Sequence, residues 1–168
     1  MVQMPKYPFS ETVLCESSGY REGFLSAADI LADRICDFKQ DKTVAFDVNV
    51  IGLIYPTLYL YRHFIELVLK DCISKFKQKK TGHNLLEAYN LTECDLTKRC
   101  PPNLTDRIRS CKNLIEFFHG IDKKGEAFRY ALDNSGNPHF KESREFDLKD
   151  IKSRVADFYS FMKEEYDL

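Results

Sequence analysis

Four residues of one stretch have the types and spacing from which chemistry is made. They are Arg62, His63, Glu66 and Lys70, within VIGLIYPTLYLYRHFIELVLK over residues 50–70. On a helix, Arg62, Glu66 and Lys70 fall four apart and form a ladder of alternating charge. Nearly every neighbour is Leu, Ile, Val, Phe or Tyr. Charges in such surroundings must be solvated along one edge or paired, because an unpaired buried charge is very costly. Arginine can hold a phosphate or carboxylate through two parallel hydrogen bonds, and His63 can exchange a proton near neutral pH. The ladder therefore reads as a pocket edge or a self-association face. Its structural alternative is a line of intrahelical ion pairs, worth roughly 0.2–0.5 kcal/mol each.

Three further positions could add to such a face. His83, in Gly82-His83-Asn84-Leu85, falls at a helix start, where the positive dipole end and free N–H groups favour anions. It can equally be a polar residue beside a cap. His119, before Gly120-Ile121-Asp122, falls in a last helical turn, where the dipole by itself is a sufficient reason for a histidine. Arg129 lies between Phe128 and Tyr130, where it could stack, clasp an anion or face solvent beside a packed aromatic pair.

Several catalytic patterns do not occur: G-x-S-x-G, a phosphate-binding glycine loop, H-E-x-x-H and a dinucleotide fingerprint. Seven glycines leave little room for glycine-rich cradles. The six cysteines, Cys15, Cys36, Cys72, Cys94, Cys100 and Cys111, include no CxxC pair. Cys94, Cys100 and Cys111 with His83 or His119 match no usual zinc spacing, so neither a metal nor another cofactor is expected. The chain shows no secretory signal, which favours free thiols and a cytoplasmic setting. The uncharged stretch Val48–Tyr61 is too short to cross a bilayer, so no membrane partner is expected. A net charge of -1 supplies no global field toward nucleic acid or anionic membrane. The lysine run Lys75, Lys77, Lys79 and Lys80 reads as a solvated helix end that also suits the negative end of the dipole.

The elements that must position these residues are helices. With 43% hydrophobic and 30% charged residues, the 168-residue chain has the composition of one ordinary globular domain. Residues 1–16, with Pro5 and Pro8, read as an extended N-terminal arm ahead of a domain over 17–168. A first helix capped by Ser17 or Ser18 places Tyr20, Phe24, Ala27, Leu31, Ile35 and Phe38 on its buried face. Gln40–Asp47 is a polar connector. A long second helix runs from about Val48 to Phe76, with Pro56 either kinking it or marking its true start, and Thr81-Gly82 ending it.

Asn84 with Glu87 forms a capping pattern for a short third helix to about Asn90, followed by a loop over 91–103. A fourth helix buries Leu104, Ile108, Cys111, Ile115 and Phe118, is capped by Asn103 or Thr105, and ends just before Gly120. Alternation through Phe128, Tyr130 and Leu132, the turn Asp133–Pro138 and a return through Phe140 predict a small β-hairpin. Asp147 caps a last helix with Leu148, Ile151, Val155, Phe158 and Met162 in one stripe. The fold expected is mainly α: a helical bundle of four main helices plus a short one, with the hairpin inserted before the C-terminal helix.

The stretch Tyr61-Arg62-His63-Phe64-Ile65-Glu66-Leu67-Val68-Leu69-Lys70, followed by Gly82-His83-Asn84-Leu85, resembles the front half of HEPN-like domains. Those are helical bundles in which an apolar helix of the form R-h-x-x-E-x-x-L-K leads to a short G/T-H-x-L helix start. The resemblance implies a module of toxin–antitoxin, anti-phage defence or RNA-processing systems, usually dimeric. Its partners would be a second copy, another protein, RNA or a nucleotide. Active members cut RNA without metal through an Arg-polar-x4-5-His motif contributed by each of two chains. This chain departs there, since Arg109–His119 and Arg129–His139 are spaced too widely. The expectation is a non-catalytic binding or dimerisation module. The alternatives are an atypical metal-independent ribonuclease or nucleotide-processing enzyme, in which His63, His83 or His119 moves protons and Arg62 or Arg129 holds phosphate, and a scaffold domain.

Overall fold

The computed structural model describes residues 17–40, 52–76, 81–142 and 144–168, without the side chains of residues 17, 18, 39 and 40. The expected arm over 1–16, residues 41–47 of the polar connector, the second helix's opening residues Val48–Ile51, the capping side chains of Ser17 and Ser18, and Lys77, Lys79 and Lys80 lie outside that description, and Gln40 belongs to the first helix. Five helices are present among the described residues: α1 (Ser17–Gln40), α2 (Ile54–Phe76), α3 (Leu85–Arg99), α4 (Thr105–Ile121) and α5 (Leu148–Tyr166). A 3-10 turn, Pro102–Leu104, leads into α4. The mainly helical bundle expected from periodicity is therefore what forms.

The most apolar helix lies at the centre. α2 packs against α1, α3 and α5, while α4 closes the ring between α3 and α5. Its buried residues include Leu58, Tyr61, Phe64, Ile65, Val68, Leu69, Cys72 and Ile73, which lie on more than one side of the helix. That width follows from three partners rather than one. Pro56 is exposed in the first turn, where its missing N–H is no loss, so it marks a start and not a kink. The last helix follows its predicted stripe: Leu148, Ile151, Val155, Phe158 and Met162 are all buried, and the Asp147 side chain accepts the N–H groups of Lys149 and Asp150, both at 3.0 Å.

Four expectations need correction. The buried face of α1 is turned from the predicted stripe toward Arg21, Ala28, Ala32 and Ile35, leaving Tyr20 56% exposed. Two alanines allow close approach to α2, and Arg21 pairs with Asp71 of α2 at 2.7 Å.

The third helix is not short. Leu85, Ala88, Tyr89, Thr92 and Leu96 keep helical spacing past Asn90, and the stop comes only at Pro101-Pro102. Its N-terminal cap is as predicted, with Asn84 Oδ1 accepting the Glu87 N–H at 3.1 Å. On α4, Leu104 sits at the cap without a side-chain bond, and Thr105 Oγ1 instead donates to Pro102 O at 2.7 Å. The helix also runs past Gly120 to Ile121, and Asp122 ends it.

The β-hairpin does not form. Among the described residues there is no strand, only one antiparallel bridge between Leu132 and Pro138. The Glu126 carbonyl accepts from both Arg129 N and Tyr130 N at 3.0 Å, so the chain turns where alternation suggested a strand. Asp133 Oδ1 accepts the N–H groups of Ser135 and Asn137, and Pro138 has no N–H to continue a ladder.

Candidate functional site

Arg62 lies inside the protein. It projects from the middle of α2, is 1% exposed, and spends its fork on three separate chain segments. Nη1 donates to Glu66 Oε2 at 3.1 Å, one turn along the same helix. Nη2 donates to the His83 carbonyl at 2.7 Å, and Nε to the Asp122 carbonyl at 3.1 Å. The Asp122 carboxylate adds an ion pair, Nε to Oδ2 at 3.4 Å. Asp122 is itself buried and ends α4, its Oδ1 accepting the N–H groups of Glu126 and Ala127.

Gly125, at φ +77°, lies against the guanidinium: a Cβ there would stand 2.9 Å from Nη1 and 3.2 Å from Cζ. Only glycine suits both that backbone and that approach. A lysine could not serve here, because one ammonium cannot span three segments in a planar fork.

Glu66 is the second hub and is 2% exposed. Its Oε1 accepts Lys70 Nζ at 2.6 Å and lies 2.8 Å from His83 Nδ1. Burial raises the pKa of this carboxyl, but the hydrogen bonds and charges of Lys70 and His83 outweigh burial and hold it below its ordinary value. An ionised Glu66 selects the tautomer of His83 in which Nδ1 carries the proton. Nε2 is then the free lone-pair nitrogen, on a side chain 69% exposed.

The remaining candidates surround this pair. His63 is half-buried, stacked on Tyr59 (centroids 5.7 Å apart) and met edge-on by Phe24 of α1 at 4.6 Å. Burial lowers its pKa; Glu66 opposes, and the charges of Lys70, Arg62 and His83 add to the lowering. Arg129 is exposed, with its guanidinium 5.7 Å from the Tyr59 ring and 5.4 Å from the Tyr130 ring. Its Nε donates to the Gly125 carbonyl at 2.7 Å. His119 is half-buried on the last turn of α4, and its Nδ1 is buried without a hydrogen bond. Burial lowers its pKa, followed by Lys123 and Arg62.

The seven sequence candidates thus fall into two roles. Arg62 and Glu66 are interior ties and are not available to a ligand. Lys70 and His83 meet at Glu66, His63 and Arg129 meet at Tyr59, and His119 lies within electrostatic range of Arg62. Two clefts among the described residues, one between α4 and α5 around Arg107 and Arg154, the other between α3 and α4 around Glu93 and Lys112, include none of the seven. No group of three His, Cys, Asp or Glu among the described residues is arranged to hold a metal. The five described cysteines are free, and burial raises Cys111 to about 12, as expected of a packed rather than a reactive thiol.

Sequence reasoning missed Asp122, Gly125 and Tyr59. The signal for the first two was an acidic residue three before a glycine at a helix end; nothing local marked Tyr59. No protein-family model, curated protein or solved structure matches this chain. No described helix is long and apolar enough to cross a membrane.

Proposed function

We propose that this protein is a HEPN-like helical module that binds single-stranded RNA on the rim formed by Tyr59, His63, Lys70, His83 and Arg129. The observation that carries the reading is the meeting of Lys70 of α2 and His83 of the segment before α3 at one oxygen of the buried Glu66, with the Arg129 guanidinium set over the Tyr59 and Tyr130 rings. Cations track a phosphate backbone, while tyrosine faces and guanidinium planes accept unstacked bases. Burial of the two carboxylates supports it further: Glu66 and Asp122 are offset together by Arg62 and Lys70, so they leave no net negative charge to repel a polyanion.

The test is fluorescence anisotropy with a labelled single-stranded RNA. Binding should weaken as salt rises, and Lys70→Ala and Arg129→Ala should each weaken it and flatten the salt slope by about 0.7 per contact removed. Wild-type affinity in both variants, with the fold intact, rules out this face.

A second reading, an atypical ribonuclease, draws support from the carboxylate-oriented imidazole of His83, an arrangement suited to proton transfer. Incubation of mixed RNA with the protein, with and without chelator, decides it: cleavage that His83→Asn abolishes supports it, and intact RNA at high protein concentration removes it.

A further inference from the structure

The charge balance around His83 points to a specific ligand chemistry. The groups that meet it are Glu66 and Lys70 through a shared carboxylate oxygen, Arg62 through the His83 carbonyl, and His63 within electrostatic range, all on α2; Asp122, at the end of α4, meets it only through Arg62. Two cations, Arg62 and Lys70, offset two carboxylates, Glu66 and Asp122. With His83 neutral the cluster is balanced. Protonation at Nε2 leaves one uncompensated positive charge at the surface, beside a lysine whose side chain is 34% exposed.

Glu66 holds the ring by Nδ1, so the added proton and its N–H direction lie at the outward nitrogen. An anion placed there gains a charge-assisted hydrogen bond from an already oriented donor. A dianion gains most, because its second charge strengthens the bonds it accepts from both His83 Nε2 and the free N–H groups of Lys70.

We infer that His83 and Lys70 form a docking point for a phosphomonoester, such as the terminal phosphate of an RNA strand or a nucleoside monophosphate, bound together with a proton on His83. This rests on the RNA-binding reading of the rim and adds a preference that reading does not require, since internal phosphodiesters carry one charge. No bond is made or broken; one proton moves from solvent to Nε2 as the ligand binds.

The experiment compares one single-stranded RNA bearing a 5′-phosphate with the same strand bearing a 5′-hydroxyl, and AMP with adenosine as competitors. The phosphorylated strand should bind roughly tenfold tighter, the value of one charge-assisted hydrogen bond at the low end of its range. AMP should compete and adenosine should not. Calorimetry of AMP binding in two buffers of different ionisation heat should show proton uptake.

His83→Asn keeps a donor for Glu66 but lacks Nε2. With an unchanged melting temperature it should lose the preference, so that the two strands bind alike, and it should lose the proton uptake. Equal binding of the two strands, or AMP binding without proton uptake, overturns this inference and leaves the RNA-binding reading standing. No binding of either strand or of AMP overturns both. AMP competing only at the strand's end supports a terminal-phosphate site, whereas AMP binding with no strand binding supports the phosphomonoester site and removes RNA.

Discussion

Replacing Arg62 by alanine would take a guanidinium out of a place where three chain segments meet and put nothing in its stead. The Asp122 carboxylate would stay buried without its cation, and the carbonyls of His83 and Asp122 would lose their donors. Glu66 would keep Lys70 and His83, so its share of the damage is smaller. Removing one partner of a buried pair costs roughly 3–5 kcal/mol. For a urea slope of about 2 kcal/mol/M, the unfolding midpoint should fall by roughly 2 M. Equilibrium urea unfolding followed by far-ultraviolet circular dichroism measures this directly. Arg62→Lys should recover only part of the loss, because a point charge cannot serve three partners in a plane. Lys70→Ala, which removes the partly exposed arm of the same network, should cost under about 1 kcal/mol. If Arg62→Ala loses less than about 1 kcal/mol, the guanidinium is not the tie described above.

Other outcomes follow from neighbouring features. Gly125→Ala should destabilise by at least about 1 kcal/mol more than Gly136→Ala. Both glycines have positive φ, which alone costs roughly 1–2 kcal/mol, but only Gly125 would drive a Cβ into Arg62; chemical denaturation of the two variants reads the difference. The depressed pKa of Glu66 makes its ionised form a source of stability that is whole above the ordinary carboxyl value of 4.5 and is lost as pH falls through the lower folded value. Glu66→Gln should therefore flatten the acid limb of a plot of urea midpoint against pH. The lowered pKa of His63 acts in the same sense, its contribution being full above 6.5 and declining below it. Phe24→Ala, which uncovers one face of the ring, should move the His63 titration upward in a proton NMR experiment.

Much of this molecule could be read from residue order, and the failures have a common cause. The stripe of α5 and the caps Asn84 and Asp147 are local devices, set by spacing within a few residues, and they were legible. So was the importance of the Arg62 ladder. Its role was not: spacing placed Arg62 and Glu66 together, but only the arrival of Asp122 and the His83 carbonyl from distant segments turns a helix-surface pair into an interior hub. The missing hairpin has the same origin. Of the alternating residues only Phe128 is buried, stacked on Phe140, which lies near Tyr55; Tyr130 and Leu132 are exposed, so the alternation marks no strand face. The third helix was cut short because Asn90 invited a stop that Pro101-Pro102 supplied later.

The segment between α4 and α5 has scarcely any repetitive backbone pairing of its own. Its first turn, from Asp122 to Ala127, is tied to the core through one long side chain sixty positions earlier in the chain. In amide exchange, the protons of Glu126 and Ala127 should therefore share their opening event with the start of α3 and the middle of α2, rather than fray as an independent flap.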